Sequence, residues 1–206
     1  MLHSIKFFLG VYWMARVSSI LGLRFSPGKG MFMFSLGDRV VYPGHGVAEI
    51  NRIVEKVIAG NVTSFFELAF LNKDMTILVP TNNIALIGLR RLSSIENIDS
   101  AFVILSMPAK ICRESSLGNW NKRSKYYQSK LRTGDLYEIC RIYRDLNHLS
   151  AKKELSFGEK TLLSQTEALL VEEIALVEKV EEGKAIARLR SLFTSMKFVS
   201  SQARAL

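Results

Sequence analysis

Few side chains capable of covalent chemistry occur in this 206-residue chain, and they do not form a set that could act together. The three histidines are His3, His45 and His148, and the two cysteines are Cys112 and Cys140. His45 lies between two glycines, away from any nucleophile–base or metal-ligand arrangement, so we expect a turn histidine held by backbone contacts. The cysteines lack C-x-x-C spacing, which favours buried free thiols over a disulfide or a metal site. The sequence therefore predicts a non-catalytic protein with no metal and no cofactor.

A different kind of chemistry, the binding of a nucleic-acid backbone, is indicated around Trp120. The stretch from Lys110 to Arg132 contains seven basic residues and one acid, Glu114, whereas residues 159–182 are rich in acids. Clustered lysine and arginine side chains can neutralise phosphates and release their counterions. Trp120 has polar neighbours in sequence, which suits an apolar wedge in a nucleic-acid groove, yet a tryptophan at a helix start is also a common core residue. The residues alone leave both alternatives open.

The overall composition agrees with an anionic partner but does not identify it. The formal net charge is +9, and 48% of the residues are apolar. Such a chain can fill one large core or two small ones, and its charge favours nucleic acid or an acidic membrane surface. Four of the positive charges lie in residues 1–33, which contain no acid. The position of the remaining charges must therefore decide between these partners.

Residues 1–33 form an N-terminal extension with an unusual composition. Their apolar run, Phe7–Met14, is too short to span a bilayer, and Arg16 interrupts it. A signal peptide is one alternative, although no clear small-residue cleavage site is evident, and a basic amphipathic helix on a membrane surface is another. Met31 and Met33 stand just before residue 34, where the strand-rich segment begins, and either could be the true start, so we expect the extension to precede the true start or to be disordered.

Short strand patterns separated by tight turns fill residues 34–92. The patterns, rich in valine, isoleucine and phenylalanine, are Arg39–Tyr42, Val47–Ile58, Val62–Leu71 and Met75–Val79. Strands so closely spaced are typical of a small SH3-like or Tudor-like β-barrel. Pro80 cannot donate to a ladder and is expected at a strand end or an edge. Such an edge could pair with a strand of another protein, or be protected by Pro80 and by charged side chains such as Arg52 and Lys56.

Helical patterns with short connections fill residues 93–200. Ser93–Glu96 and Ser156–Glu159 have the spacing of a capping box, and Asn119 can cap a helix that begins at Trp120. The predicted fold class is α+β, with a small SH3/Tudor-like β-barrel followed by a compact helical bundle of about five helices.

Several motifs stand along the chain in an order that carries a family resemblance. They are GDRVVYPGHGVAEI (Gly37–Ile50), MTILVP (Met75–Pro80), GLRRL (Gly88–Leu92), NWNKRSK (Asn119–Lys125) and LSFGEK (Leu155–Lys160). Over residues 34–195 the sequence closely resembles the CarD/CdnL family of bacterial RNA polymerase-binding transcription regulators. Transcription–repair coupling factors share the barrel, but this sequence shows no helicase segment and resembles the stand-alone regulators.

The resemblance implies two binding faces. The barrel, residues 34–92, would pair with the β subunit of RNA polymerase, and the helical domain, residues 93–200, would contact promoter DNA at the upstream edge of the transcription bubble. The residues implied on the polymerase side are Lys56, Ile77, Leu78, Val79 and Pro80. Those implied on the DNA side are Trp120, as a wedge in the minor groove, with Asn119, Lys122, Arg123 and Lys125 beside it. Several relatives have arginine in place of Leu78 or Lys56, so the polar part of the polymerase contact differs in this chain.

What the resemblance implies is a non-catalytic regulator that stabilises the open promoter complex. A higher affinity for polymerase with melted DNA than for the closed complex would shift that equilibrium. We therefore expect a cytoplasmic protein, associated with the nucleoid through RNA polymerase, without a small-molecule substrate or a membrane partner. The alternative is a membrane-associated adaptor that uses the basic and apolar N-terminal segment.

Overall fold

The structure is a computed structural model, and it describes residues 34–108 and 120–202 of the chain. Its first part is an antiparallel sheet of five strands in the order β4-β3-β2-β1-β5. The strands are β1 (Arg39–Tyr42), β2 (Gly46–Ile58), β3 (Asn61–Phe70), β4 (Thr76–Pro80) and β5 (Arg90–Arg91). The predicted α+β class is confirmed. The described strands form an open sheet instead of the closed barrel that the spacing suggested, because β4 and β5 end the order without pairing with each other.

The hairpin of β2 and β3 is the longest part of the sheet. Its turn places Gly60 at a φ of 82°, a conformation that glycine adopts without steric cost. The pairing shifts between Ile50 and Arg52, and such a β-bulge increases the local twist. Strand β4 pairs with β3 as far as Pro80, opposite Phe65. Pro80 therefore stands both at a strand end and on an edge strand, as predicted.

One face of the sheet encloses the first hydrophobic core. Its buried members are Phe34, Val40, Ala48, Ile50, Phe66, Leu68, Phe70, Val79 and Leu89. Along the strands these residues alternate with side chains on the opposite face, as the pleat of a sheet requires. A short helix, α1 (Ile84–Ile87), packs Ile84 and Ile87 against this core.

Five longer helices follow the sheet and surround a second core. They are α2 (Ile95–Ser106), α3 (Trp120–Leu131), α4 (Leu136–Lys152), α5 (Phe157–Glu178) and α6 (Glu182–Gln202). Each helix contributes at least one buried side chain, for example Leu105, Leu131, Tyr143, Leu170 and Leu189. The predicted bundle of about five helices is confirmed. Among the helices that the structure describes, none is long and apolar enough to cross a bilayer.

The helix caps agree with the sequence pattern at α5 and differ at α2. Ser156 and Glu159 form the predicted capping box. At α2 the cap is Ser94, whose hydroxyl accepts a backbone N–H at 3.3 Å. Ser93, the cap that the spacing suggested, is engaged elsewhere because its N–H and hydroxyl both donate to Glu173 on α5.

A buried ion pair joins the sheet to α5. Arg90 on β5 donates through Nη1 and Nη2 to the two carboxylate oxygens of Glu173, at 2.6 and 2.7 Å. The Glu173 side chain is only 3% exposed. Arg90 Nε also donates to the carbonyl of Gly134 at 2.6 Å, between α3 and α4. Bidentate, charge-assisted bonds of this kind fix the geometry of the groups that they join.

Close packing around the β1–β2 turn completes the contact between sheet and helices. Glu172 lies so near Gly46 that a Cβ on this glycine would be 2.0 Å from Oε2 of the carboxylate. Burial raises the pKa of Glu172 above its usual value, against the opposing effect of a hydrogen bond from the backbone of Val47. A Cβ on Gly134 would be 2.9 Å from Cγ of Pro43. These contacts, together with the arginine–glutamate pair, are called the sheet–helix junction below.

Candidate protein and nucleic-acid interfaces

Strand β4 is an edge of the sheet, and its backbone is oriented for pairing. Backbone hydrogen bonds of 3.0 Å join β3 to Met75 and to Thr81, the two residues that flank β4. In an antiparallel pair such positions alternate with positions whose backbone groups point outward. Leu78 is an outward position, and Pro80, the next one, has no N–H to donate. The open edge can therefore receive a short strand of another protein at Thr76 and Leu78.

The five side chains implied on the polymerase side lie on two faces of the sheet. Val79 is 2% exposed, and Ile77 packs against the same core. The register places Leu78 and Pro80 on the opposite face, together with Lys56 on β2. Leu78 and Pro80 are partly buried, and Lys56 is exposed. The surface open to a partner thus consists of the β4 backbone and these three side chains, while Ile77 and Val79 support the strand from the core.

An ion pair that sequence reasoning missed lies on the same face as Leu78. Arg52 donates to one carboxylate oxygen of Glu67 through Nε at 2.9 Å and Nη2 at 2.8 Å. Glu67 is the direct neighbour of Leu78 across the β3–β4 ladder. The bulge after Ile50 sets which face Arg52 occupies, so the spacing of the residues gave no signal for this pair. Leu78 is therefore bordered by charged groups of the sheet itself.

Trp120 lies in the predicted helix α3, which the structure describes from this residue onward, and its ring lies against the start of α5. The side chain is partly buried and packs on the helical core. A Cβ on Gly158 would be 2.8 Å from Cζ2 of the indole. The guanidinium of Arg123 lies 5.9 Å from the ring centre. The indole is thus anchored in the bundle on one side and partly exposed on the other, while Asn119 lies outside the described residues.

The basic residues of α3 differ in how they are engaged. Arg123 forms an ion pair with Glu159, whose side chain is 1% exposed, so its charge is compensated inside the protein. Lys122 and Lys125 are exposed. Arg132, also exposed, lies in the turn directly after α3. The exposed basic residues are therefore Lys122, Lys125 and Arg132, whereas Arg123, which the resemblance implied at a phosphate, is committed to Glu159.

Glu159 is a charged group whose role sequence reasoning missed. Its carboxylate accepts the N–H of Ser156 at 2.8 Å, and each of its two oxygens accepts a hydrogen bond from Lys153 Nζ at 3.2 Å. Burial by itself would raise the pKa of Glu159, but the bonds from Ser156 and Lys153 outweigh it, so this pKa lies below its usual value. The carboxylate is ionised at neutral pH and can hold Arg123. The capping-box spacing indicated the bond within α5 but not the pair with α3.

His45 and Cys140, two of the residues with catalytic potential, have structural roles. His45 donates its backbone N–H to the carbonyl of Tyr42 at 3.1 Å, and its ring packs against Tyr42 and Phe70. Cys140 is fully buried, and burial raises the pKa of its thiol to about 12. The predictions of a turn histidine and of a buried thiol are confirmed for these two residues, whereas Cys112 lies outside the described residues. Within residues 34–108 and 120–202, no three histidine, cysteine or acidic side chains are placed to hold a metal ion.

Comparison with known protein families assigns both parts of the chain. Residues 34–93 match the model of the CarD-like/TRCF RID domain. Residues 102–190 match the model of the CarD C-terminal domain. The first match covers the sheet, and the second covers most of the helical bundle, in the order in which the motifs stand. The chain belongs to the CarD-like family.

Two individual relatives show similarity to this CarD-like protein. YdeB of Bacillus subtilis (strain 168), a proposed transcription factor, is 27% identical over 150 residues, which cover 73% of this chain and 95% of YdeB. The solution NMR structure of the 72-residue N-terminal domain of Myxococcus xanthus CarD is 31% identical in sequence and covers 31% of this chain and 85% of that domain, with a TM-score of 0.26. The two family models confirm the family resemblance read from the motifs.

Proposed function

We propose that this CarD-like protein is a non-catalytic transcription regulator with two binding faces. The sheet binds the β subunit of RNA polymerase through the open edge of β4, and the start of α3 binds promoter DNA at the upstream edge of the transcription bubble. Together these contacts stabilise the open promoter complex. The observation that carries this function is the combination of an outward-facing strand edge with a partly exposed tryptophan among lysines, in domains joined by a buried ion pair.

Backbone pairing supports the polymerase contact. The outward N–H and C=O groups of Leu78 supply the type of bond that strand addition uses, and alternate side chains on the partner give specificity. Lys56, exposed on the same face, favours an acidic group on the partner strand. Because main-chain atoms supply these bonds, leucine in place of arginine at position 78 leaves strand addition intact.

Shape and charge at the start of α3 support the DNA contact. An apolar side chain such as Trp120 can insert at a base step that is already unstacked, where the cost of unstacking is lowest. Lys122 and Lys125, both exposed, can neutralise phosphates on either side of such a step. Two or three phosphate contacts give only a modest affinity, so the protein reaches the promoter by way of polymerase.

Stabilisation of the open complex follows from differential affinity. A bound protein shifts an equilibrium between two states only by the difference in its affinity for them. The sheet binds polymerase in both the closed and the open complex, whereas Trp120 finds an unstacked base step only after melting begins. The α3 contact is therefore the part that favours the open state.

The polymerase face is tested with two variants of one residue in the full-length chain. Leu78→Pro removes an outward N–H without removing a bond to β3, and Leu78→Ala shortens the side chain but keeps that N–H. We expect Leu78→Pro to lose most binding to purified RNA polymerase and Leu78→Ala to keep most of it, with circular dichroism confirming the fold of both. Equal binding by wild type and a folded Leu78→Pro variant would exclude pairing at this edge.

The DNA face is tested by the lifetime of the open complex. Trp120→Ala should shorten this lifetime on a promoter fragment while polymerase binding persists, and Trp120→Phe should retain part of it because an aromatic wedge remains. Truncation of a fully buried tryptophan costs about 3–5 kcal/mol of stability, and we expect a smaller loss for this partly exposed ring. A normal lifetime with Trp120→Ala would remove α3 from the DNA contact.

A further inference from the structure

The geometry points to Gly158 and Glu159 as positioning residues that hold Trp120 in the orientation needed for DNA. They lie in the first turn of α5, in the LSFGEK motif, and neither has a role in the two binding faces described above. We call Gly158, Glu159 and Arg123 the indole seat. This role rests on the proposed function of Trp120 and concerns how the protein holds that side chain before it meets DNA.

The first observation is steric. A Cβ on Gly158 would lie 2.8 Å from Cζ2 of Trp120 and 3.0 Å from both Cε2 and Nε1. The first distance is shorter than real Cβ contacts, the other two are at the tight end of them, and all three reach atoms of one rigid ring system. Glycine is otherwise unfavourable inside a helix compared with alanine. The bare backbone at position 158 is therefore what lets the indole lie so close to α5.

The second observation is electrostatic. Arg123 is placed by its ion pair with the buried carboxylate of Glu159, and its guanidinium faces the indole at 5.9 Å from the ring centre. Glu159 is itself held by Lys153 and by the N–H of Ser156. The indole is thus flanked by the α5 backbone and by a guanidinium whose position α5 also determines. An aromatic side chain fixed in this way loses less conformational entropy when it binds.

The chain offers a matched control for a glycine substitution. Gly183 is the second residue of α6, as Gly158 is the second residue of α5. A Cβ on Gly183 would meet no atom within 4 Å. Gly158→Ala and Gly183→Ala therefore make the same chemical change at equivalent helix positions, and only the former reaches the indole.

The position of the indole can be followed by its fluorescence in the full-length chain. The two tryptophans are Trp13 and Trp120, so a Trp13→Phe background reports on Trp120 alone. In this background, Gly158→Ala should increase quenching of the emission by acrylamide, because the added methyl group displaces the ring toward solvent. Gly183→Ala should leave quenching unchanged, and Glu159→Gln, which removes the charge that holds Arg123, should increase it.

The functional readout is open-complex lifetime at saturating polymerase binding. Gly158→Ala should shorten the lifetime toward that of Trp120→Ala, and Gly183→Ala should match wild type. In a Trp120→Phe background, Gly158→Ala should have little further effect, since the smaller ring no longer meets the new methyl group. An effect of Gly158→Ala that disappears in the Trp120→Phe background separates a displaced indole from general damage to α5.

The possible failures are distinguishable. If Gly158→Ala changes neither the quenching nor the open-complex lifetime, the positioning role is wrong. It is also wrong if Gly158→Ala changes the quenching but not the lifetime, while Trp120→Ala does shorten the lifetime. If Trp120→Ala itself leaves lifetime unchanged, the proposed function of Trp120 fails, and with it the positioning role toward DNA. Increased quenching, a shortened lifetime and the absence of a further effect in the Trp120→Phe background together support the indole seat.

Discussion

Removal of Arg90 should strongly destabilise the whole protein, because it leaves the carboxylate of Glu173 buried without its cation. Arg90→Ala deletes two charge-assisted bonds to Glu173, of 2.6 and 2.7 Å, and the bond to the carbonyl of Gly134. Glu173 keeps its two bonds from Ser93. Its side chain is 3% exposed in the intact protein, so water replaces the lost guanidinium only in part.

The expected magnitude follows from the burial of the two partners. Removal of one member of a buried ion pair costs about 3–5 kcal/mol. Arg90 is 25% exposed, which gives water some access to the vacated space, and we therefore expect the lower end of this range. For a protein of this length, a loss of about 3 kcal/mol corresponds to a fall in Tm of roughly 6–12 °C.

Urea unfolding of the full-length chain measures this loss. The neighbouring Arg91→Ala is the control, because its pair with Asp38 is long, at 3.8 Å, and its side chain is 66% exposed. Exposed pairs of this kind contribute about 0.2–1 kcal/mol. Arg90→Ala combined with Glu173→Gln should recover part of the loss, since no charge then remains buried without a partner. Equal, small losses for Arg90→Ala and Arg91→Ala would refute the reasoning.

Three further outcomes are expected. The pKa of the Glu172 carboxyl is raised in the folded protein, so the folded protein binds the carboxyl proton more tightly than the unfolded chain, and the contribution of this group to stability falls as pH rises through that pKa. In urea unfolding, Glu172→Gln should therefore be more stable than wild type at neutral pH, and the difference should vanish near pH 4. A difference that does not change with pH would contradict this expectation. Cys140 is buried, and the pKa of its thiol is raised to about 12, so it should resist iodoacetamide in the native protein and react in denaturant. Peptide mapping by mass spectrometry measures this labelling, and rapid labelling of the native protein would indicate opening of the bundle. Alanine at both Lys122 and Lys125 should reduce the slope of log K against log salt on fork-junction DNA by about 1.8. Arg123→Ala should change this slope little, because the charge of Arg123 is already compensated by an internal ion pair. The reverse result would place Arg123 on the phosphates.

Local patterns predicted the elements of this protein well. Alternating apolar residues and turn glycines predicted strands β1 to β4 but not the two-residue strand β5, and the helix expected after Asn119 is α3. Pro80 was expected at a strand end or an edge because proline lacks an N–H, and it occupies both positions. These features depend on backbone chemistry within a few residues, which a sequence displays directly.

Long-range pairing could not be predicted in the same way. Arg123 reads as one more basic residue of α3, and only the folded bundle brings it to Glu159, 36 residues away. Ser93 has the spacing of a helix cap, but Glu173 on α5 competes for it and Ser94 takes its place. In each case a buried carboxylate required a donor, and the fold determined which donor was near.

The sheet–helix junction also determines how a weak DNA contact can be effective. On the proposed function, binding of the sheet to polymerase makes the DNA contact intramolecular, with an effective concentration of about 10⁻³ M even for a flexible tether of short length. Against a dissociation constant of about 10⁻⁴ M, typical of non-specific DNA binding, this concentration gives an occupancy of about 90%. Arg90 and Glu173 hold the sheet and the helical bundle in one relative orientation. That occupancy is therefore reached only where the distance from the polymerase contact to the edge of the melted DNA equals the distance from the sheet edge to Trp120.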